Sequence, residues 1–173
     1  MVILTLLENI RTYDLNASEE IKQEISSLLK DVTDPEIPVL TIEDLGLIRN
    51  IHVGEHEIEV VLTPTYSGCP AMDAIAMDVK MKLLSEGHPR VKVSYALQPA
   101  WTTEWMSEEG KRKLREYGIA PPPRFKDKDS APLSCPKCSS INTEVVSEFG
   151  STACKSLCQC LDCLEFFDHF KCH

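Results

Sequence analysis

The spacing of apolar residues along the chain changes several times, and each change marks an element. From Asn16 to Val32 the positions Ile21, Ile25, Leu28, Leu29 and Val32 recur at spacings of four, three, one and three, one face of a helix. Asn16, with Glu19 three residues on, suits its N-terminal cap. The prolines of "TDPEIP" end it, since proline disfavours helix in the residue before it. "LGLIRNIHV" (45–53) and "EIEVVLTP" (57–64) then read as a β-hairpin around Gly54-Glu55-His56. Met72, Ile75, Ala76, Val79 and Leu83 form a second helical face that Gly87 closes. "VKVSYAL" (91–97) alternates as a third strand. Ser107 is placed to cap a third helix, with Glu108 and Glu109 first, basic residues later and Gly118 as its stop.

This order, α-β-β-α-β-α, predicts an α+β domain over 16–119: a small three-stranded sheet packed with helices, after an N-terminal extension of 1–15. The pattern then fails. Residues 120–133, "APPPRFKDKDSAPL", offer almost nothing to bury and read as a proline-rich linker. The remaining segment, 134–173, is near the size below which a domain needs a metal or disulfides to fold.

Composition narrows the class. The chain of 173 residues is 43% hydrophobic and 26% charged, a globular balance, and no apolar run is long enough to span a membrane. "MVILTLLENIR" lacks the basic flank and cleavage site of a signal peptide, so a cytoplasmic protein is expected. Net charge −9 argues against nucleic acid and anionic membranes as partners. The C-terminal segment has no basic face either: residues 133–173 carry three lysines and five acids.

Seven of the eight cysteines fall at or after Cys135, which points to metal or redox chemistry there. Cys135/Cys138 and Cys160/Cys163 are two CxxC knuckles, each putting two thiolates within reach of one ion, with "TEVVSEF" and "EFFDHF" as strands around them. This spacing predicts a metal-stabilised zinc ribbon. Structural zinc is the commoner use of such a site, and a single iron, as in rubredoxin-like electron carriers, is the alternative. Cys154, Cys158 and Cys172 remain. They read either as small core residues or, for Cys154 with Cys172, as a second thiol site able to hold iron or exchange disulfides. Cys158 stands two residues from Cys160 and is given no role of its own. His169, alternating with phenylalanines, is expected at the surface.

The eighth cysteine stands apart in "TPTYSGCP" (63–70). With Pro70 as first helical residue, Cys69 occupies the N-cap, where the helix dipole favours a thiolate and lowers its pKa. Thr63, Thr65 and Ser67 surround it with hydroxyls. A packed cap and an activated thiolate fit this geometry equally well. Asp34, Glu36 and Asp44 are loop carboxylates whose ordinary use is turn and cap chemistry. Trp101 and Trp105 are expected to cover a core edge.

Together, "DPEIPVLTIEDLGLI", "VVLTPTYSGCPAMDAI" and "QPAWTTEWMSEEGKRKLREYGIAPP" resemble the metal–sulfur cluster assembly family that includes SufT-like proteins. With the ribbon, whose "SEFGSTACK" and final "FKC" are distinctive, the chain is similar to the D-component family of the bacterial phenylacetyl-CoA epoxidase system. The resemblance implies an accessory protein without independent catalysis. It would help place iron or an iron–sulfur cluster in the oxygenase or reductase component. It carries over Asp34, Pro35 and Glu36, then Asp44, Leu45 and Gly46, then Thr63, Gly68, Cys69 and Pro70. In the ribbon it carries over Cys135, Cys138, Cys160 and Cys163, with Cys154 and Cys172 as its additional cysteines. Cys69 is thereby implied as the relay for metal or sulfur. A homodimer bringing two Cys69 loops together is compatible with this reading, as is an electron-transfer subunit with iron in the four-cysteine site.

Overall fold

The structure, a computed structural model, describes residues 18–123 and 133–171. Asn16, the N-terminal extension, most of the linker, Cys172 and His173 lie outside these residues. Helix α1 (Ser18–Leu28) continues into a 3-10 turn at Leu29–Asp31. The first sheet has the order β1-β2-β3: β1 (Ile48–Val53) pairs antiparallel with β2 (Ile58–Leu62), and β2 pairs parallel with β3 (Val91–Tyr95). A parallel return needs a crossover, and α2 (Ala71–Ser85) supplies it. Ile58, Val60 and Leu62 are fully buried and share one core with Ile25, Leu29, Ile75, Val79 and Leu83. Among the described residues, no helix is long and apolar enough to cross a membrane.

The first strand begins later than the β-branched run suggests. Leu45, Gly46 and Leu47 instead form a turn, their N–H groups donating to Thr41, Glu43 and Ile42. Gly46 has φ +65°, and a Cβ there would stand 2.4 Å from the Trp105 carbonyl oxygen, so only glycine fits.

Asp44 fastens this turn to helix α3 (Glu108–Tyr117). Its Oδ1 accepts from Ser107 Oγ at 2.9 Å, and its Oδ2 from Lys113 Nζ at 2.6 Å and Thr41 N at 3.1 Å. Ser107 caps α3, its Oγ accepting from Gly110 N, and Gly118 closes the helix in the left-handed region. Trp101 is buried and donates to the Leu45 carbonyl, covering the core edge as expected.

Gly118 does not lead into a linker. Ile119 and Ala120 form β4, which pairs parallel with β7 (Phe166–Phe170) in a second sheet of order β4-β7-β6-β5. The remaining strands are β5 (Thr143–Ser147) and β6 (Lys155–Cys160). Strand β6 escapes sequence reading because Lys155, Ser156 and Gln159 give it no alternation; it is an inner strand, paired on both sides. Phe170, Cys154 and Ile119 join the first sheet's core, and Phe170 meets Trp101 edge-on at 6.1 Å between centroids.

His169 is half-buried rather than at the surface. Phe167 and Phe170 are both buried, which breaks the expected alternation, and the ring packs beside Ser156 with Nδ1 3.3 Å from its hydroxyl. Burial holds its pKa below the usual imidazole value.

The Asp44 junction makes a test. Burial alone would raise its carboxyl, but hydrogen bonds from Lys113, Thr41 and Ser107 outweigh this and hold it below the ordinary carboxylate value. A depressed folded-state pKa contributes stability above about pH 4 that is lost as pH falls through the folded value. Asp44→Asn should cost about 1–3 kcal/mol at pH 7. The variant and the parent should converge at low pH in denaturant titrations.

Candidate metal and thiol sites

Two groups of cysteines stand out. In the second sheet, the Sγ atoms of Cys135, Cys138, Cys160 and Cys163 all lie within 4.8 Å of one another. Cys135 and Cys163 are 3.8 Å apart, Cys138 and Cys160 3.6 Å. A zinc–sulfur bond of about 2.3 Å in a tetrahedron requires sulfur–sulfur edges of roughly 3.8 Å, so the thiols fit such an ion with little movement. Backbone N–H groups point at the sulfurs, Lys137 to Cys135 and Asp162 and Cys163 to Cys160, as thiolates need. The knuckles predicted from spacing are thus brought together, placed to hold one metal ion. Cys158 does not join them; it is fully buried and packs with Phe167 and Ala120 in the ribbon's small core.

The second group gathers at the end of β2. A strand leading into a crossover helix leaves its connecting loop at the sheet's carboxyl edge, a common place for a site. Here Tyr66 to Cys69 form a β-turn, Cys69 N donating to the Tyr66 carbonyl at 3.3 Å, with Gly68 at φ +86°. Pro70 has helical dihedrals but stands just ahead of α2, so the boundary lies one residue later than expected. Cys69 Sγ still accepts from the N–H of Ala71. The thiol is half-buried beside a cavity of about 330 Å³ lined by Pro64, Gly68, Met72, Asp73, Tyr95 and Leu97.

The expected low pKa at Cys69 is not found. Burial pushes the thiol up, and the charges of Glu36 and Asp34 add to this, beyond what Ala71 N–H and Thr65 can offset. A single exposed N–H at a helix start is a smaller effect than partial burial beside two carboxylates. Cys69 is therefore a thiol at neutral pH, and a cation is what would favour its anion.

The other expected residues divide. Asp34 is buried and uses Oδ1 to accept from the backbone of Glu36 at 2.7 Å and Ile37 at 2.9 Å, which shapes the "DPE" turn. That turn presents Glu36 towards the thiols. Thr63 is buried and structural, its hydroxyl donating to the Ala96 carbonyl at 2.8 Å and holding the exits of β2 and β3 together. Asp44 is engaged with Ser107 and Lys113. Cys154 is buried, with Sγ 3.8 Å from Glu36 Oε2 and 3.0 Å from Thr152 Oγ1. Its partner is therefore the Glu36 turn, and the expected pairing with Cys172 lies outside the described residues.

Tyr66 is a residue that sequence reasoning misses; its one signal is being the sole aromatic in a loop of small residues. Its phenol is hydrogen-bonded with the Cys69 thiol; burial, then the charges of Cys69, Cys154 and Glu36, push it up to about 12.

Comparison with known proteins finds a family match for each part of the chain. Residues 22–95 match the family model of an iron–sulfur cluster assembly protein, and residues 119–171 that of the PaaD zinc beta ribbon domain. The chain is 47% identical over 152 residues to the D component of the putative 1,2-phenylacetyl-CoA epoxidase of Escherichia coli K12, covering 86% of this chain and 92% of that protein. It is 42% identical over 95 residues to an Fe-S protein maturation auxiliary factor of Porphyromonas gingivalis, covering 54% of this chain and 90% of the relative. Among solved structures, a DUF59 domain from Bacillus anthracis superposes with a TM-score of 0.54 at 28% identity, covering 58% of this chain and 97% of that one.

Two measurements check these sites. Alkylation of Cys69, monitored by peptide mass spectrometry, should be slow at pH 7 and rise through a midpoint above the ordinary thiol value of about 8.5. A midpoint below it would contradict the burial argument. Removing the ribbon's metal with a strong chelator should loosen the Phe170 contact and shift Trp101 fluorescence to longer wavelength, while most far-UV helix signal persists.

Proposed function

Because the chain belongs to the family of phenylacetyl-CoA epoxidase D components, with an iron–sulfur cluster assembly unit and a PaaD zinc ribbon, we propose that it is a maturation protein for that epoxidase system. Its cargo on this reading is iron or an iron–sulfur fragment, delivered to the oxygenase or reductase component through Cys69. The observation that carries the reading is the setting of Cys69: a thiol on a turn at the sheet's carboxyl edge, open to a cleft and flanked by carboxylates. Such a thiol stays protonated and unreactive until a cation arrives, which suits a metal relay better than a nucleophile. Among the described residues, no histidine is one of the main groups acting on Cys69, so a His–Cys catalytic pair finds no support there.

The ribbon's four thiolates hold a structural ion, zinc on this reading, and its sheet stabilises the site from behind. An acidic surface, net −9, suits a carrier that docks on proteins rather than nucleic acid.

Cys69→Ser should leave the fold and the ribbon metal intact yet abolish epoxidase activity in cells that depend on this protein. Full activity in that variant would remove the relay. Metal analysis of the purified protein should find tightly bound zinc and a colourless solution. A red protein that bleaches on reduction would instead indicate iron in the four-cysteine site and an electron carrier.

A further inference from the structure

The geometry points to a second metal-binding site built across the two sheets, in which Cys154 and Glu36 complete the Cys69 relay and hold a first-row divalent cation such as ferrous iron. This rests on the relay reading and adds two ligands to it. Cys154 belongs to the ribbon, Glu36 to the turn after α1, and Cys69 to the loop after β2, yet Glu36 lies near enough to act on both thiols. Cys154 and Glu36 are already in contact, Sγ to Oε2 at 3.8 Å. Cys69 and Tyr66 pack against the same core cluster that contains Cys154. Tyr66, hydrogen-bonded with Cys69, also feels Cys154 and Glu36.

The donor set selects the ligand class. Two thiols and one carboxylate suit a borderline ion of the first transition row, and exclude magnesium or calcium, which demand oxygen. The thiols have little compensating charge nearby: among the described residues, Lys155 is the cation among the main groups acting on Cys154, and it also pairs with Asp168 at 3.8 Å. Binding would form two sulfur–metal bonds and one oxygen–metal bond, release two thiol protons to solvent and change no oxidation state. A tetrahedral ion held this way keeps one position free for water or for a ligand of the client.

The site is not closed. Among the described residues, only the four ribbon cysteines have ligand atoms all within 4.8 Å of one another. Capture therefore needs the three groups to draw together. The turn beside Cys69 is not packed in, since Gly68 has no atom within 4 Å of where a Cβ would stand. A site that must close on its ion can also reopen to release it.

The test uses the full-length chain with zinc already in the ribbon and Co²⁺ alone as the probe. Co²⁺ should bind one further site with thiolate charge-transfer absorption. Cys69→Ser, Cys154→Ser and Glu36→Gln should each weaken it at least about tenfold, and both cysteine variants should lose sulfur-to-cobalt intensity. Cys154→Ala, with thermal melting and ribbon zinc content checked, separates ligand loss from misfolding of a buried position. Parental Co²⁺ binding in a folded Cys154→Ala or Cys154→Ser variant would overturn the composite site, and so would parental binding in Glu36→Gln. The two readings fail separately. If Cys69→Ser abolishes epoxidase activation while the Cys154 variants bind Co²⁺ as the parent does, the relay stands and the composite site falls. If Cys69→Ser activates the epoxidase normally, the relay itself falls.

Discussion

The second sheet has too little apolar surface to hold itself together, and the structure depends on how that shortage is met. Its own core amounts to Ala120, Cys135, Cys158, Cys160 and Phe167, much of it sulfur. Two supports make up the difference. Four thiols placed to hold one ion gather the knuckles, and Phe170, Cys154 and Ile119 are lent to the larger core next door. The second support does more than stabilise. Docking β7 against Trp101 is what carries Cys154 from a distant stretch of chain to the Glu36 turn.

Electrostatics at that turn run against the simplest expectation for a thiol at a helix start. The N–H of Ala71 does favour a Cys69 thiolate, but it competes with partial burial and with two carboxylates. The balance leaves neutral sulfur in a cleft rimmed by acid. Such a place attracts cations and discourages oxidation and alkylation, which suits a residue that must stay available. Asp34 contributes twice: it satisfies two backbone N–H groups, and in doing so it aims Glu36.

The elements with clear periodicity are legible in the sequence. The faces of α1 and α2, the hairpin, the Ser107 cap and the paired knuckles all obey local rules of spacing and capping. What escapes is long-range or lacks a period. Strand β6 hides its strand character because Lys155 and Ser156 are buried against partners far along the chain. Strand β4 is two residues that read as the close of one domain and the first step of a linker. The approach of Cys154 to Glu36 has no local signature, and spacing alone misjudges the pKa of Cys69 because its burial and the carboxylates near it come from other parts of the chain. Thr63 and Asp44 are marked as important by sequence, yet they serve as fasteners, one joining strand exits and the other anchoring α3.

The parallel pairing of β4 with β7 sets an order of events. Strand β4 leaves α3 directly at Gly118, whereas β7 must return across the whole ribbon to reach it. Loop closure of that length is slow beside the local folding of the helices and hairpin. An ion held by the knuckles would help the sheet close, and the contact of Cys154 with Glu36 belongs to the docked arrangement. On the proposed reading the chain would work as an interlock: one ion, taken permanently, would be the condition for presenting the thiols that handle another. A cell short of the first metal would hold a carrier that cannot yet pick up the second.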